Sequence, residues 1–137
     1  MMASRNALAF AALVMVMVAL PRVAVSQSAA YQDAVGQVYA AYHISRRCEG
    51  FGTITGEGYT GYQGLVIGAS NAMKAQGLRT QKIRKYLFYS RNEWIVYQME
   101  RVLADRQVPA FAPSRLCPFA RKIAGKNDTI GLFLVRE

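Results

Sequence analysis

Apolar residues recur every three or four positions along most of the chain after residue 30, which is the spacing of amphipathic helices. No segment of convincing length alternates apolar and polar residues as a half-buried strand would. The pattern therefore predicts an all-α fold, a small helical bundle of four main helices plus a short C-terminal helix. The expected elements are residues 31–49, residues 59–76, residues 81–107, a helix from about Ser114 to Gly125, and a last turn capped by Asp128.

Within these helices the spacing also predicts which side chains face inward. Ala34, Val38, Ala41, Ser45 and Cys48 share one face of the first helix. His43 lies off that face and is expected at the surface. Glycines 61, 64 and 68 in the second helix suggest that another helix packs closely against it. The glycine-rich stretch GFGTITGEG, residues 50–58, is expected to be a connector.

The N-terminus has the pattern of a secretory signal peptide. One positive charge, Arg5, precedes 14 apolar residues from Ala7 to Leu20, and Pro21 and Arg22 end the run. A membrane span needs about 20 such residues, so this length suits a signal peptide better. Small residues at 24–26 allow cleavage after Ser26. The expected domains are a signal peptide at 1–26 and one helical domain at 27–137, exported to the periplasm or secreted; the alternative is an uncleaved N-terminal anchor.

Composition makes the domain basic. The chain has 17 Lys and Arg residues and 8 Asp and Glu residues, and removing Arg5 and Arg22 with the signal leaves a net charge near +7. No run of five like charges occurs, which argues against a disordered nucleic-acid-binding tail. For an exported protein, the expected partner is an acidic envelope protein or an anionic membrane surface. The candidate basic surface comprises Arg46, Arg47, Lys82, Arg84 and Lys85.

The two cysteines, Cys48 and Cys117, are expected to form a disulfide. An exported domain folds in an oxidising compartment, where a pair of cysteines in a small domain typically becomes a cross-link. A zinc site normally needs four ligands at short spacings, and a redox centre normally uses CxxC, which is absent. His43 and Cys48 are five positions apart on a helix and would not face each other as a catalytic pair.

Four segments carry a family resemblance. They are RRCE at the end of the first helix, KAQGLRTQKIRKYL at the turn between the second and third predicted helices, RLCPFARKIAG, and TIGLFLVR near the end of the chain. In order and separation they resemble domain-of-unknown-function family 5333, a family of small exported alphaproteobacterial proteins with two cysteines. The resemblance spans most of residues 35–136. It implies a signal peptide, a helical fold and one disulfide, but no activity and no catalytic residues.

Three classes of function remain open on the sequence. An interaction or accessory protein with a basic surface is favoured, because no pair of carboxylates or other catalytic constellation is evident and no cofactor or metal site is expected. The alternative is a carrier of a small apolar ligand in an aromatic pocket between helices, with Tyr62, Trp94 and Tyr97 as the candidate lining. An enzyme is the third reading. Aromatic and basic residues interleaved in 81–107 could stack on nucleic acid, but at helical spacing they fit a core better.

Overall fold

The computed structural model describes residues 29–56 and 58–137, and this part of the chain is mostly helical. The predicted signal peptide at 1–26 lies outside the described residues. Residues 29–31 belong with the N-terminal unit, whereas Gln32–Glu137 form one compact unit. The elements in chain order are α1 (residues 29–47), β1 (Phe51–Thr53), α2 (Gly61–Met73), α3 (Thr80–Tyr89), α4 (Asn92–Ala104), α5 (Pro113–Ile123) and β2 (Leu134–Arg136).

The first helix buries the face that its sequence predicts. Ala34, Val38 and Ala41 are at most 2% exposed. Gly36 lies on the buried side, where a Cβ atom would come within 2.5 Å of the Gln98 carbonyl oxygen in α4. The backbones of α1 and α4 therefore approach each other closely at this glycine.

The glycines of α2 do not serve the contact predicted for them. A Cβ atom at Gly64 would collide with the backbone of Tyr59, and one at Gly68 would lie 3.2 Å from the backbone of Thr55. The neighbour at these positions is thus the loop that precedes α2. The prediction of a second helix packed on this glycine face was wrong, because the short connector folds back over α2.

The long helix predicted for residues 81–107 is two helices. Ser90 and Arg91 have ψ angles of 153° and 138°, so the backbone is extended between α3 and α4. Each helix keeps its own buried residues, Ile83 and Leu87 in α3 and Ile95 and Met99 among those in α4. The break allows two differently directed apolar faces to be buried.

The chain ends in a short strand that follows the turn predicted at Asp128. β1 and β2 pair antiparallel, with Phe51 opposite Arg136 and Thr53 opposite Leu134. The predicted connector at 50–58 therefore contains a strand. A single 3-10 turn, Gly131–Phe133, precedes β2. Asp128 accepts the backbone N–H of Ile130 at 2.8 Å and so caps this turn as predicted.

A disulfide joins Cys48 to Cys117, as the sequence predicts. Cys48 directly follows α1, and Cys117 is the fifth residue of α5, with 5.5 Å between the two Cα atoms. The bridge links positions 69 residues apart. Among residues 29–56 and 58–137, no helix combines the length and apolar character that crossing a membrane requires.

Candidate functional site

Basic side chains gather around the turn between α2 and α3. Lys82 and Lys85 line a surface depression of about 360 Å³ together with Arg79, Gln81 and Tyr86. A second depression, of about 400 Å³, is lined by Lys74, Gly77, Leu78, Arg79, Thr80 and Gln81. The two depressions share Arg79 and Gln81 and therefore adjoin each other. The basic face is defined here as Lys74, Arg79, Lys82 and Lys85.

The sequence around this face carries charge of one sign. Between Gly58 and Asn92 there are six basic residues and no acidic one; the six are Lys74, Arg79, Lys82, Arg84, Lys85 and Arg91. Two ion pairs of the described chain join residues outside this segment. Arg101 pairs with Asp33 at 2.5 Å, and Arg106 lies 3.5 Å from Asp128. The excess of basic over acidic residues is thus concentrated in the segment from Gly58 to Asn92.

Arg84 differs from its basic neighbours. Its Nε donates to Ser70 Oγ at 3.0 Å, and its Nη2 donates to Asn71 Oδ1 at 3.0 Å. Ser70 is fully buried in α2. Arg84 therefore links α3 to α2, and unlike the exposed Lys85 it is half-buried.

Arg46 and Arg47 form a separate site at the end of α1. They line a depression of about 320 Å³ with Tyr39, Tyr42 and His43, and none of these residues lines the two depressions of the basic face. Arg46 donates to the Tyr42 hydroxyl at 2.7 Å. Arg47 lies over the ring of Phe111, 6.0 Å from its centroid. The five predicted basic residues are therefore divided among three surroundings.

An aromatic groove lies between α1, α2 and the end of α3. It has a volume of about 300 Å³, and its lining residues are Tyr39, Tyr42, Tyr62, Leu87, Phe88, Ser90, Asn92 and Ile95. The Tyr62 ring is 4.9 Å from that of Tyr42 and 6.2 Å from that of Phe88. Its hydroxyl donates to the Leu87 carbonyl at 2.9 Å. Burial, together with the neighbouring tyrosines, raises the pKa of Tyr62, so this hydroxyl stays protonated.

Only one of the three predicted pocket residues lines this groove. Tyr62 does, but Trp94 packs against Tyr86 at 5.8 Å, and Tyr97 is 61% exposed. The prediction placed Trp94 and Tyr97 with Tyr62 because it treated α3 and α4 as one helix. It missed Tyr39 and Tyr42, whose spacing of three residues on α1 was the available signal.

His43 is buried, contrary to the surface position predicted for it. It is 8% exposed, and its Nε2 lies 2.6 Å from the Ala110 carbonyl oxygen. This contact requires the proton on Nε2, which identifies the tautomer. Burial lowers the pKa of His43, the charge of Arg47 lowers it further, and the bond to Ala110 partly opposes both. The His43 side chain thus holds the loop before α5 against α1.

The side chains at these sites are suited to binding a ligand. In the described part of the chain, no three His, Cys, Asp or Glu residues are grouped as metal ligands would be. Both cysteines are in the disulfide. The basic face offers ammonium and guanidinium donors, which suit carboxylate, sulfate or phosphate groups. The groove offers aromatic rings and suits an apolar ligand.

Comparison of the chain with protein-family models, with curated protein sequences and with solved structures found no match. The resemblance to family 5333 stays a prediction. Any statement of function therefore depends on the basic face, the groove and the residues around them.

Proposed function

We propose that this protein is an exported, non-enzymatic interaction protein that binds an anionic partner through its basic face. The observation that carries the proposal is the absence of any acidic residue between Gly58 and Asn92, combined with the convergence of Lys74, Arg79, Lys82 and Lys85 around two adjoining depressions. A surface patch of one sign raises the local concentration of opposite charge and steers its approach.

Export is supported by two features of the chain. The chain contains a disulfide, and disulfides form and persist in oxidising compartments such as the periplasm. The run from Ala7 to Leu20 has the length and flanks of a signal peptide. The partner is then an acidic envelope component, and binding is expected to weaken with added salt, because the screening length is about 10 Å at 0.1 M.

The test compares two triple variants that carry the same net charge. One is Lys74→Gln, Lys82→Gln and Lys85→Gln on the basic face. The other changes three exposed basic residues at the end of α5 and beyond it: Arg121→Gln, Lys122→Gln and Lys126→Gln. Both proteins are eluted with a salt gradient from immobilised poly-glutamate. The face variant is expected to elute at clearly lower salt than the control. Equal elution would mean that net charge alone governs binding and would contradict the proposal.

A second candidate function is the transport of a small apolar ligand in the aromatic groove. Its volume of about 300 Å³ is at the lower end of the range for ligand pockets. The neutral fluorescent probe N-phenyl-1-naphthylamine tests it. Ser90→Trp, which fills the groove, should abolish the fluorescence increase. Ser114→Trp, at an exposed position of α5, should leave the increase unchanged. No saturable increase with the wild-type protein would exclude this function for such ligands.

A further inference from the structure

Two aromatic residues that are consecutive in sequence are exposed at the end of α3. Tyr89 is 84% exposed and Phe88 is 40% exposed. Lys85 precedes them by one helical turn and Arg91 follows them, and both are exposed. These four residues, Lys85, Phe88, Tyr89 and Arg91, are called the α3–α4 tip below.

The break between α3 and α4 accounts for this exposure. α3 buries Ile83 and Leu87, and the chain becomes extended at Ser90 directly after Tyr89. The last residue of α3 is thereby left at a corner, outside the packed face. Single exposed apolar residues are ordinary, but two consecutive exposed aromatic residues, with a cation before and after them in the chain, form a local pattern of their own.

The tip is continuous with the basic face. Lys85 belongs to both, since it lines the depression formed with Arg79 and Lys82 and lies one turn before Tyr89 on α3. Aromatic rings prefer the boundary between water and hydrocarbon at a bilayer surface. Lys and Arg side chains near such a surface are attracted by acidic lipid headgroups. The two kinds of side chain required at that boundary are therefore adjacent here.

We infer that the anionic partner is the surface of a lipid bilayer, on which the α3–α4 tip inserts Phe88 and Tyr89 among acidic headgroups. This inference rests on the proposed function and specifies its partner. The basic face would lie against the headgroups, and the absence of carboxylates from Gly58 to Asn92 means that no acidic side chain of that segment opposes the approach. The aromatic rings would add an attachment that salt does not screen.

The experiment measures flotation of the purified full domain with two kinds of vesicle. One contains equimolar phosphatidylglycerol and phosphatidylcholine, and the other contains phosphatidylcholine alone. The wild-type protein is expected to float with the first only. Phe88→Ser with Tyr89→Ser should lower the partition coefficient by about tenfold. The matched control, Tyr97→Ser with Leu132→Ser, removes two exposed apolar side chains elsewhere and should leave it unchanged.

A fluorescence measurement shows whether the tip itself enters the bilayer. Trp94→Phe removes the chain's one tryptophan. In that background, Tyr89→Trp places an indole at the tip and Tyr97→Trp places one on α4. The emission of the tip tryptophan should shift to shorter wavelength with the phosphatidylglycerol vesicles and should be quenched by brominated acyl chains. An unshifted, unquenched tip tryptophan on bound protein would overturn the inference.

The outcomes separate this inference from the proposed function. The tip variant loses no charge, so its elution from poly-glutamate should match that of the wild-type protein. If the wild-type protein binds poly-glutamate through its basic face but floats with neither vesicle, the partner is an acidic macromolecule and the bilayer is excluded. If the two charge variants elute together, the proposed function itself fails.

Discussion

Removal of the disulfide gives the clearest quantitative expectation. The double variant Cys48→Ala and Cys117→Ser removes a buried sulfur and replaces a half-buried one with a hydroxyl. The bridge spans 69 residues, and a closed loop of that length restricts the unfolded chain by about 4 kcal/mol of free energy at 25 °C. Because small domains are stable by only about 5–15 kcal/mol, a loss of this size is a large fraction of the total.

Equilibrium unfolding in urea, followed by circular dichroism, measures the loss. The double variant should show a lower midpoint and a steeper dependence on urea, because its unfolded state is less compact. Reducing agent should lower the stability of the wild-type protein to a similar extent and should leave the variant unchanged. A loss below about 1 kcal/mol would refute the chain-entropy argument for this bridge.

Three further substitutions test individual contacts. Gly36→Ala should destabilise the domain by about 1–3 kcal/mol in urea unfolding, because its Cβ would be 2.5 Å from the Gln98 carbonyl; a gain of stability, as helix propensity alone predicts, would contradict the close approach. Since the pKa of His43 is lowered from 6.5, the unfolded chain binds its proton first and stability should fall as pH drops below 6.5; His43→Gln should reduce that slope, and an unchanged slope would remove His43 as its source. Tyr62→Phe leaves the Leu87 carbonyl without its donor and should cost about 1–3 kcal/mol. Because the pKa of Tyr62 is raised above 10.0, wild-type stability should also fall above that pH, less so in the variant.

The features that sequence could predict depend on local periodicity or on chemistry. The buried face of α1 follows from apolar spacing over about four turns, and the disulfide follows from the presence of two cysteines in a chain whose N-terminus has the pattern of a signal peptide. Asp128 could be predicted as a cap because its side chain bonds only two residues ahead. Each of these interactions is either short in sequence or has a single possible partner.

The division of residues 81–107 shows where periodicity misleads. At roughly 100° per residue, the buried residues Ile83 and Leu87 would point in a direction well over 90° away from Ile95 and Met99 on one straight helix. If no break is assumed, this change in direction predicts one helix that is buried around much of its circumference. The alternative solution, two helices with an extended pair at Ser90 and Arg91, requires a partner surface for each face, and the sequence alone gives no position for those surfaces.

His43 was misplaced for a related reason. Its position off the main stripe of α1 was read as solvent exposure, but Ala110 and Phe111 pack against it. The Ala110 carbonyl that accepts its hydrogen bond is 67 residues away in the chain. A helical wheel describes only the helix, so it cannot show which side of the stripe a distant loop will cover.

Arg84 and Lys85 show why the binding surface could not be inferred from charge alone. They are adjacent in sequence and equal in charge, yet Arg84 donates to Ser70 and Asn71 of α2 while Lys85 is exposed beside Tyr89. Their directions differ by about 100° around α3, so packing of α2 on one side necessarily leaves the other side to solvent. The basic residues that share one surface are therefore fewer than the basic residues of the chain. For this reason the comparison of charge-matched variants, and not the salt dependence of the wild-type protein alone, distinguishes a specific face from general basicity.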